Sequence, residues 1–156
     1  MKKVIIVSWV LVGFFVSCKK EKTEEEFSAV QESVVVGEIV TEECYIGILK
    51  KDTVLMSLKI KGNQVSSGEL SYKFFEKDKN EGTFIGEMKG DTLFGDYTFM
   101  SEGVSSVRQI AFLKKGNTYT EGYGDIQESN GKLIFKNTKQ LKFDGKIVLS
   151  KTDCKK

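Results

Sequence analysis

The chain carries a single arginine, Arg108, and no histidine. These two counts bound most of its chemistry. Only arginine offers a planar fork that grips a carboxylate or phosphate through two hydrogen bonds, so bidentate recognition has one candidate. Around it stand Ser101, Glu102, Ser105 and Ser106, with Gly103 among them. On one reading this group is a polar recognition patch in which Arg108 takes an anionic group. On the other, Glu102 and Arg108 form an ion pair that fixes a turn. The missing histidine removes the usual proton shuttle near neutral pH and the commonest metal ligand. Ser-His-Asp, Cys-His and His-based zinc chemistry are thereby excluded. Asp91, Asp96, Glu87, Glu121 and Asp125 offer carboxylates for glycoside hydrolysis, but no spacing selects a pair. Asp78-Lys79-Asn80-Glu81-Gly82 places glycine fifth and Lys89 twelfth, where an EF-hand needs glycine sixth and glutamate twelfth. It reads as a hairpin turn. Gly122-Tyr123-Gly124 lacks the third glycine and following helix of a nucleotide loop, and reads as relief of crowding in a curved sheet. No catalytic residue, metal or cofactor is expected.

The three cysteines divide between two tasks. Met1-Lys2-Lys3 is a short basic segment, and Val4 to Val16 is an apolar run broken only by Ser8 and Gly13. A permanent span needs roughly 20 apolar residues, so this run suits the core of a cleavable signal peptide. Val16-Ser17-Cys18, followed by Lys19-Lys20-Glu21-Lys22, resembles the lipobox of bacterial lipoproteins. The resemblance implies that residues 1–17 are removed and that Cys18 carries lipid, with several acyl chains giving stable membrane attachment. Residues 18–42 begin with a dense charge run and lack a sustained period, as expected of a solvated tether. Secretion places the remainder where thiols oxidise. Cys44 and Cys154 bracket that remainder. A bridge between them would close nearly the whole domain and contribute roughly 4–5 kcal/mol by chain entropy; the other reading is two free thiols.

Those side chains must be positioned by strands. Val54, Met56, Leu58 and Ile60 alternate with Thr53, Leu55, Ser57 and Lys59, a period of two with one apolar face. Leu70, Tyr72 and Phe74 continue the pattern after Gly68, a bulge or bend. Leu93, Tyr97 and Phe99 follow, then Ile110 and Phe112 on the face of Arg108, then Tyr119, Tyr123, Leu133, Phe135, Ile147 and Leu149. Turn signals separate these runs: Lys61-Gly62-Asn63, Asp78 to Gly82, Gly90-Asp91, Lys115-Gly116-Asn117, Asn130-Gly131 and Asp144-Gly145. They lie too close together for crossover helices, and the chain has no proline to interrupt a ladder. Residues 43–156 are therefore expected to be all-β, an antiparallel meander of about eight to ten strands curling into a small barrel or barrel-like sandwich.

The runs CYIGILKKDTVLMSL, EKDKNEGTFIGEMKGDTLFGDYTFMSEG and SVRQIAFLKKG, between Cys44 and Gly124, resemble an uncharacterised family of small lipoproteins from Bacteroidota. The resemblance implies a β-rich fold in the cell envelope at the outer membrane, and transfers no catalytic residue. Removing Lys2 and Lys3 from 24 basic residues leaves 22 against 22 acidic ones. That balance gives no basic footprint for nucleic acid. The expected partners are the membrane, through the N-terminal lipid, and an envelope protein or small ligand. Three function classes follow: a non-catalytic binding lipoprotein, a structural or assembly accessory of the outer membrane, and a carboxylate-dependent glycan hydrolase. Tyr72, Tyr97, Tyr119 and Tyr123 are either a contact platform or core.

Overall fold

Alternation decides where each side chain goes. Val54, Met56 and Leu58 are buried, while Leu55 between them is 47 % exposed. The computed structural model describes residues 39–154, apart from 78 and 102 and the side chain of 101. Cys18, the signal segment and most of the tether lie outside the described residues. Ten strands are present: β1 (Val40–Leu49), β2 (Asp52–Lys61), β3 (Gln64–Lys73), β4 (Asn80–Lys89), β5 (Thr92–Ser101), β6 (Val104–Lys115), β7 (Thr118–Glu121), β8 (Ile126–Ser129), β9 (Lys132–Phe135) and β10 (Val148–Thr152). β1 takes in Val40–Glu42, which the sequence alone assigns to the tether, because β2 is long enough to pair with them (Val40↔Lys61, Glu42↔Lys59).

β1 to β6 form the expected antiparallel meander. β6 then pairs with β7, β7 with β10 and β10 with β1, which closes an eight-stranded barrel with two further strands attached. β8 and β9 are that extra hairpin, and β9 runs parallel to β6 (Val107↔Lys132, Arg108↔Leu133). A pure meander does not anticipate this. Short β7 covers only Phe112–Lys115 of β6, and β9 takes part of the edge that remains.

The turn chemistry holds at most of the expected places. Gly62, Gly90 and Gly116 have φ of 59°, 61° and 57°, and Asn130-Gly131 has 51° and 74°, the left-handed pair a tight hairpin requires. Asp144-Gly145 is not a hairpin turn; it lies in the irregular connection between Phe135 and β10. Gly82 falls inside β4, not in the turn before it. The β1–β2 turn is made by Lys50-Lys51, with Lys50 itself at φ 57°, a job no local signal announces.

An eight-stranded barrel is just wide enough inside for side chains to fill it. Here Tyr45, Leu58, Leu70, Phe84, Leu93, Tyr97, Ile110, Phe112, Tyr119 and Leu149 belong to one buried cluster. Gly68 admits this packing: a Cβ there would stand 2.4 Å from the Phe84 ring. The neighbouring shift in the β3–β4 register, between Val65 and Gly68, marks the expected bulge. Gly122 plays the crowding role assigned to it from sequence, since its Cβ would meet the Phe143 ring at 2.5 Å.

Closure is stapled where β1 meets β10. Cys44 and Cys154 are joined, with Cα atoms 5.1 Å apart and a sequence separation of 110. Beside the bridge, Glu43 accepts from the Tyr45 hydroxyl at 2.6 Å and from Lys151 at 2.7 Å, with Lys114 at 3.5 Å. These partners come from β1, β10 and β6. Burial works to raise the Glu43 carboxyl, but the hydrogen bonds from Lys151 and Tyr45 and the charges of both lysines hold it down, at about 2.

Two outcomes follow from this seam. Replacing both Cys44 and Cys154 by serine is expected to lower the unfolding free energy by about 4 kcal/mol, measured by urea denaturation. Glu43→Gln is expected to cost roughly 1–2 kcal/mol at neutral pH, less than the full shift would give because solvent screens a cluster at the barrel end. A carboxyl depressed on folding stabilises above its unfolded value, 4.5, and that stability drains as pH falls toward about 2. The gap between parent and Glu43→Gln should therefore narrow in acid; a gap unchanged between neutral pH and about pH 3 would contradict the charge-based account.

Candidate functional site

Arg108 does not lie on an outer patch. It belongs to the inner face of β6, with Ile110 and Phe112, opposite Tyr97 of β5. Its guanidinium sits 5.4 Å from the Tyr72 ring and 5.6 Å from the Tyr97 ring, within cation–π range of both. One terminal nitrogen donates to the Tyr72 hydroxyl at 3.1 Å and to Glu121 Oε1 at 3.3 Å. The Tyr72 hydroxyl donates in turn to the same carboxylate oxygen at 2.8 Å, and Tyr123 donates to Oε2 at 3.1 Å. Tyr97 donates to the Leu70 carbonyl at 2.9 Å. Burial works against the Arg108 charge, but Tyr72 and Glu121 outweigh it and raise its pKa above the ordinary value.

The glutamate that Arg108 meets here is Glu121. Residue 102 and the side chain of residue 101 lie outside the described residues. Ser106 shares the inner face with Arg108, whereas Ser105, opposite exposed Met100, faces outward. The grouping of Ser105 and Ser106 with Arg108 on one surface is therefore not assembled. Sequence spacing missed Glu121 as the partner because 13 residues and a hairpin separate the two. The available signal was parity: Glu121 sits two places after inward Tyr119.

The tyrosines are core more than platform. Tyr45, Tyr97 and Tyr119 are at most 1 % exposed and Tyr72 is 5 %, while Tyr123 is half exposed. Burial pushes Tyr97 and Tyr119 up to about 12, and burial with Glu121 nearby pushes Tyr72 well above its ordinary value. None of these hydroxyls is poised to lose a proton near neutral pH. Three of the five candidate hydrolytic carboxylates are ion-paired, Glu121 with Arg108, Asp96 with Lys132 and Glu87 with Lys89. Among the described residues no cluster of three or more acidic or cysteine side chains is placed to hold a metal ion.

The outer wall supplies the open site. A groove of about 550 Å³ crosses β1 to β4 and the end of β10. Two neighbouring outer rungs build it: Ile46–Leu55–Ser71–Glu81, and Thr152–Cys44–Ser57–Glu69–Thr83. Small hydroxyl side chains at Ser57 and Ser71 leave the depression, with Ile46 and Leu55 as its apolar part. Glu81 pairs with Lys79. Glu69 and Asp153 are exposed and have no ion-pair partner among the described residues. A second depression, across β3 to β6 near Phe94 and Gln109, has polar groups engaged: Asp96 and Glu87 are ion-paired, and Gln109 accepts from the Phe135 amide.

The interior network and the groove are separable by mutation. Arg108→Met leaves Glu121 buried without its cation and should destabilise by about 3 kcal/mol, while Arg108→Met with Glu121→Met should recover most of that loss. Denaturant midpoints decide it; a double variant no better than the single one would show that the pair is not the reason. No protein-family model, curated protein or solved structure matches the chain, so the candidate site rests on its own geometry.

Proposed function

We propose that the chain is a lipid-anchored cell-envelope protein, acylated at Cys18, whose barrel is a non-catalytic recognition domain working through its outer wall. One observation carries the recognition half: the barrel interior is occupied by its own side chains, and the wall bears an open groove in which Glu69 has no ion-pair partner among the described residues. A filled interior leaves the outer surface for contact, and a concave site with an apolar part and a few polar groups is the usual form of a binding site. The anchoring half rests on Val16-Ser17-Cys18, which resembles a lipobox, and on the resemblance to an uncharacterised family of small lipoproteins from Bacteroidota. The Cys44–Cys154 bridge is in keeping with an oxidising compartment.

A second reading has its own observation. Ile48, Leu55 and Val148, on adjoining strands β1, β2 and β10, are 65 %, 47 % and 46 % exposed. Such a face suits a structural or assembly partner at the outer membrane.

Both halves can be tested in intact cells. Cys18→Ser should abolish fatty-acid labelling and membrane partition; labelling equal to the parent's ends the lipoprotein reading. A photoreactive residue at Leu55, inside the groove, should give a discrete envelope adduct. The same residue at exposed Ile126, on the β8–β9 hairpin, should give none with another envelope component. Adducts of equal yield at both positions, or at neither, would count against recognition through the groove.

A further inference from the structure

We propose that β8 is a self-pairing edge, which joins two copies of the chain by antiparallel addition about a two-fold axis at Gln127. Closure removes the edges of the barrel, but the added hairpin restores one. β8 stands at the end of the strand order, with β9 its only neighbour. Which of its backbone groups face outward follows from the turn. Asn130 and Gly131 form a two-residue hairpin loop flanked by the Ser129↔Lys132 pair, and residues flanking such a loop exchange hydrogen bonds. Bonded pairs then recur every second residue, at Gln127↔Ile134 and at Asp125, whose carbonyl accepts from the Lys136 amide at 2.8 Å. Ile126 and Glu128 therefore point their N–H and C=O groups away from β9, where no backbone partner meets them among the described residues. Both residues are exposed. Edges are ordinarily blunted by proline, lysine or a bulge. Ile126–Ser129 has none of these, and Glu128 is its only charge.

A row of alternating donors and acceptors is satisfied in full by another extended backbone. Two-fold pairing of β8 with its copy has three registers in which outward groups meet. Setting Ile126 opposite its copy satisfies that residue alone and leaves Glu128 facing Gly124, outside the strand. Setting Glu128 opposite its copy brings two carboxylates side by side, which is unfavourable, and leaves Ile126 facing the Asn130 turn. The remaining register sets Ile126 opposite the second copy's Glu128. It closes four backbone bonds and uses every outward group of both strands. It also places Gln127 beside its own copy, where each side-chain amide offers a donor and an acceptor. Asp125 then meets the second copy's Ser129, a carboxylate facing a hydroxyl. That self-complementary row selects a second copy over an unrelated strand. Four bonds make a contact smaller than a stable dimer interface, so the pairing is reversible and is best read by trapping it.

In this register the two Gln127 Cα atoms form a non-hydrogen-bonded pair about 4.5 Å apart, within the span of a disulfide. The two Ser129 Cα atoms lie roughly 13 Å apart along the strands. The full chain carrying Gln127→Cys, in detergent micelles under mild oxidation, should form a disulfide-linked dimer on a non-reducing gel. Its yield should exceed that of Ser129→Cys at least fivefold. Adding Glu128→Pro to Gln127→Cys removes an outward N–H and no bond to β9, and should lower the dimer yield at least fivefold at an unchanged denaturant midpoint. The comparison of positions 127 and 129 stands without the proline variant. Equal yields at the two positions, no dimer at 127, or a dimer undiminished by a folded Glu128→Pro variant would each overturn the proposal. A photoreactive residue at Ile126 reports the same contact as a product of two chains, distinct from the adduct with another envelope component expected at Leu55. Either result at β8 leaves recognition through the β1–β4 groove to its own test.

Discussion

Between Ile46↔Ser150 and Cys44↔Thr152 the first and last long-range partners of the domain meet, and there the meander becomes a closed ring. A sheet of this many strands has two edges to protect, and closure is the only arrangement that removes both. The pairing is short, since β10 has five residues and β7 four, so backbone hydrogen bonds alone give the seam little length. The bridge from Cys44 and the Glu43 cluster compensate from opposite faces of β1: alternation sends Cys44 outward to Cys154 and Glu43 inward to Lys151 and Lys114. The disulfide limits the unfolded chain, while the carboxylate ties β1, β10 and β6 together in the folded one.

Once the ring closes, its interior can no longer be a ligand cavity by default. Eight strands enclose a space that aromatic and aliphatic side chains fill, and the polar groups admitted there form two self-contained clusters. Glu43 is neutralised by lysines at the end where β1 begins. Arg108 and Glu121 neutralise each other toward the opposite end, with three tyrosine hydroxyls or rings around them. Such a network is costly to break on one side and cheap to replace whole, which marks it as an element of packing specificity. The surface left open for contact is therefore the outer wall.

How much of this was legible in the sequence divides along contact range. Val54-Met56-Leu58 and Leu93-Tyr97 announced their faces because a strand's period is local, and Asn130-Gly131 announced its hairpin because positive φ is a property of those two residues. Cys44 and Cys154 were legible by elimination once Cys18 was assigned to lipid. Arg108 was legible as the singular side chain, but its partners Tyr72 and Glu121 lie 36 and 13 residues away and are chosen by register across a closed barrel. The parallel β9 was hidden for a related reason: its place depends on how much of β6 the short β7 leaves uncovered. The groove was the least legible feature. Its serines, threonines and glutamates come from four strands, and along any one of them they look like ordinary solvent-facing positions.

The same residue joins the seam to the groove. Cys44 lies in one of the two rungs that build the groove, and its sulfur bonds to Cys154, next to Asp153. The carboxylate at the β10 end of the groove is therefore held by a covalent tie at its neighbour instead of trailing from a free C-terminal segment. Glu69, at the other end, stands on β3, whose ladder to β2 is continuous through Ser57↔Glu69. Both charged residues are thus tied closely to the barrel. Closure of the barrel, which bars the interior to ligands, is also what holds the outer groove in shape.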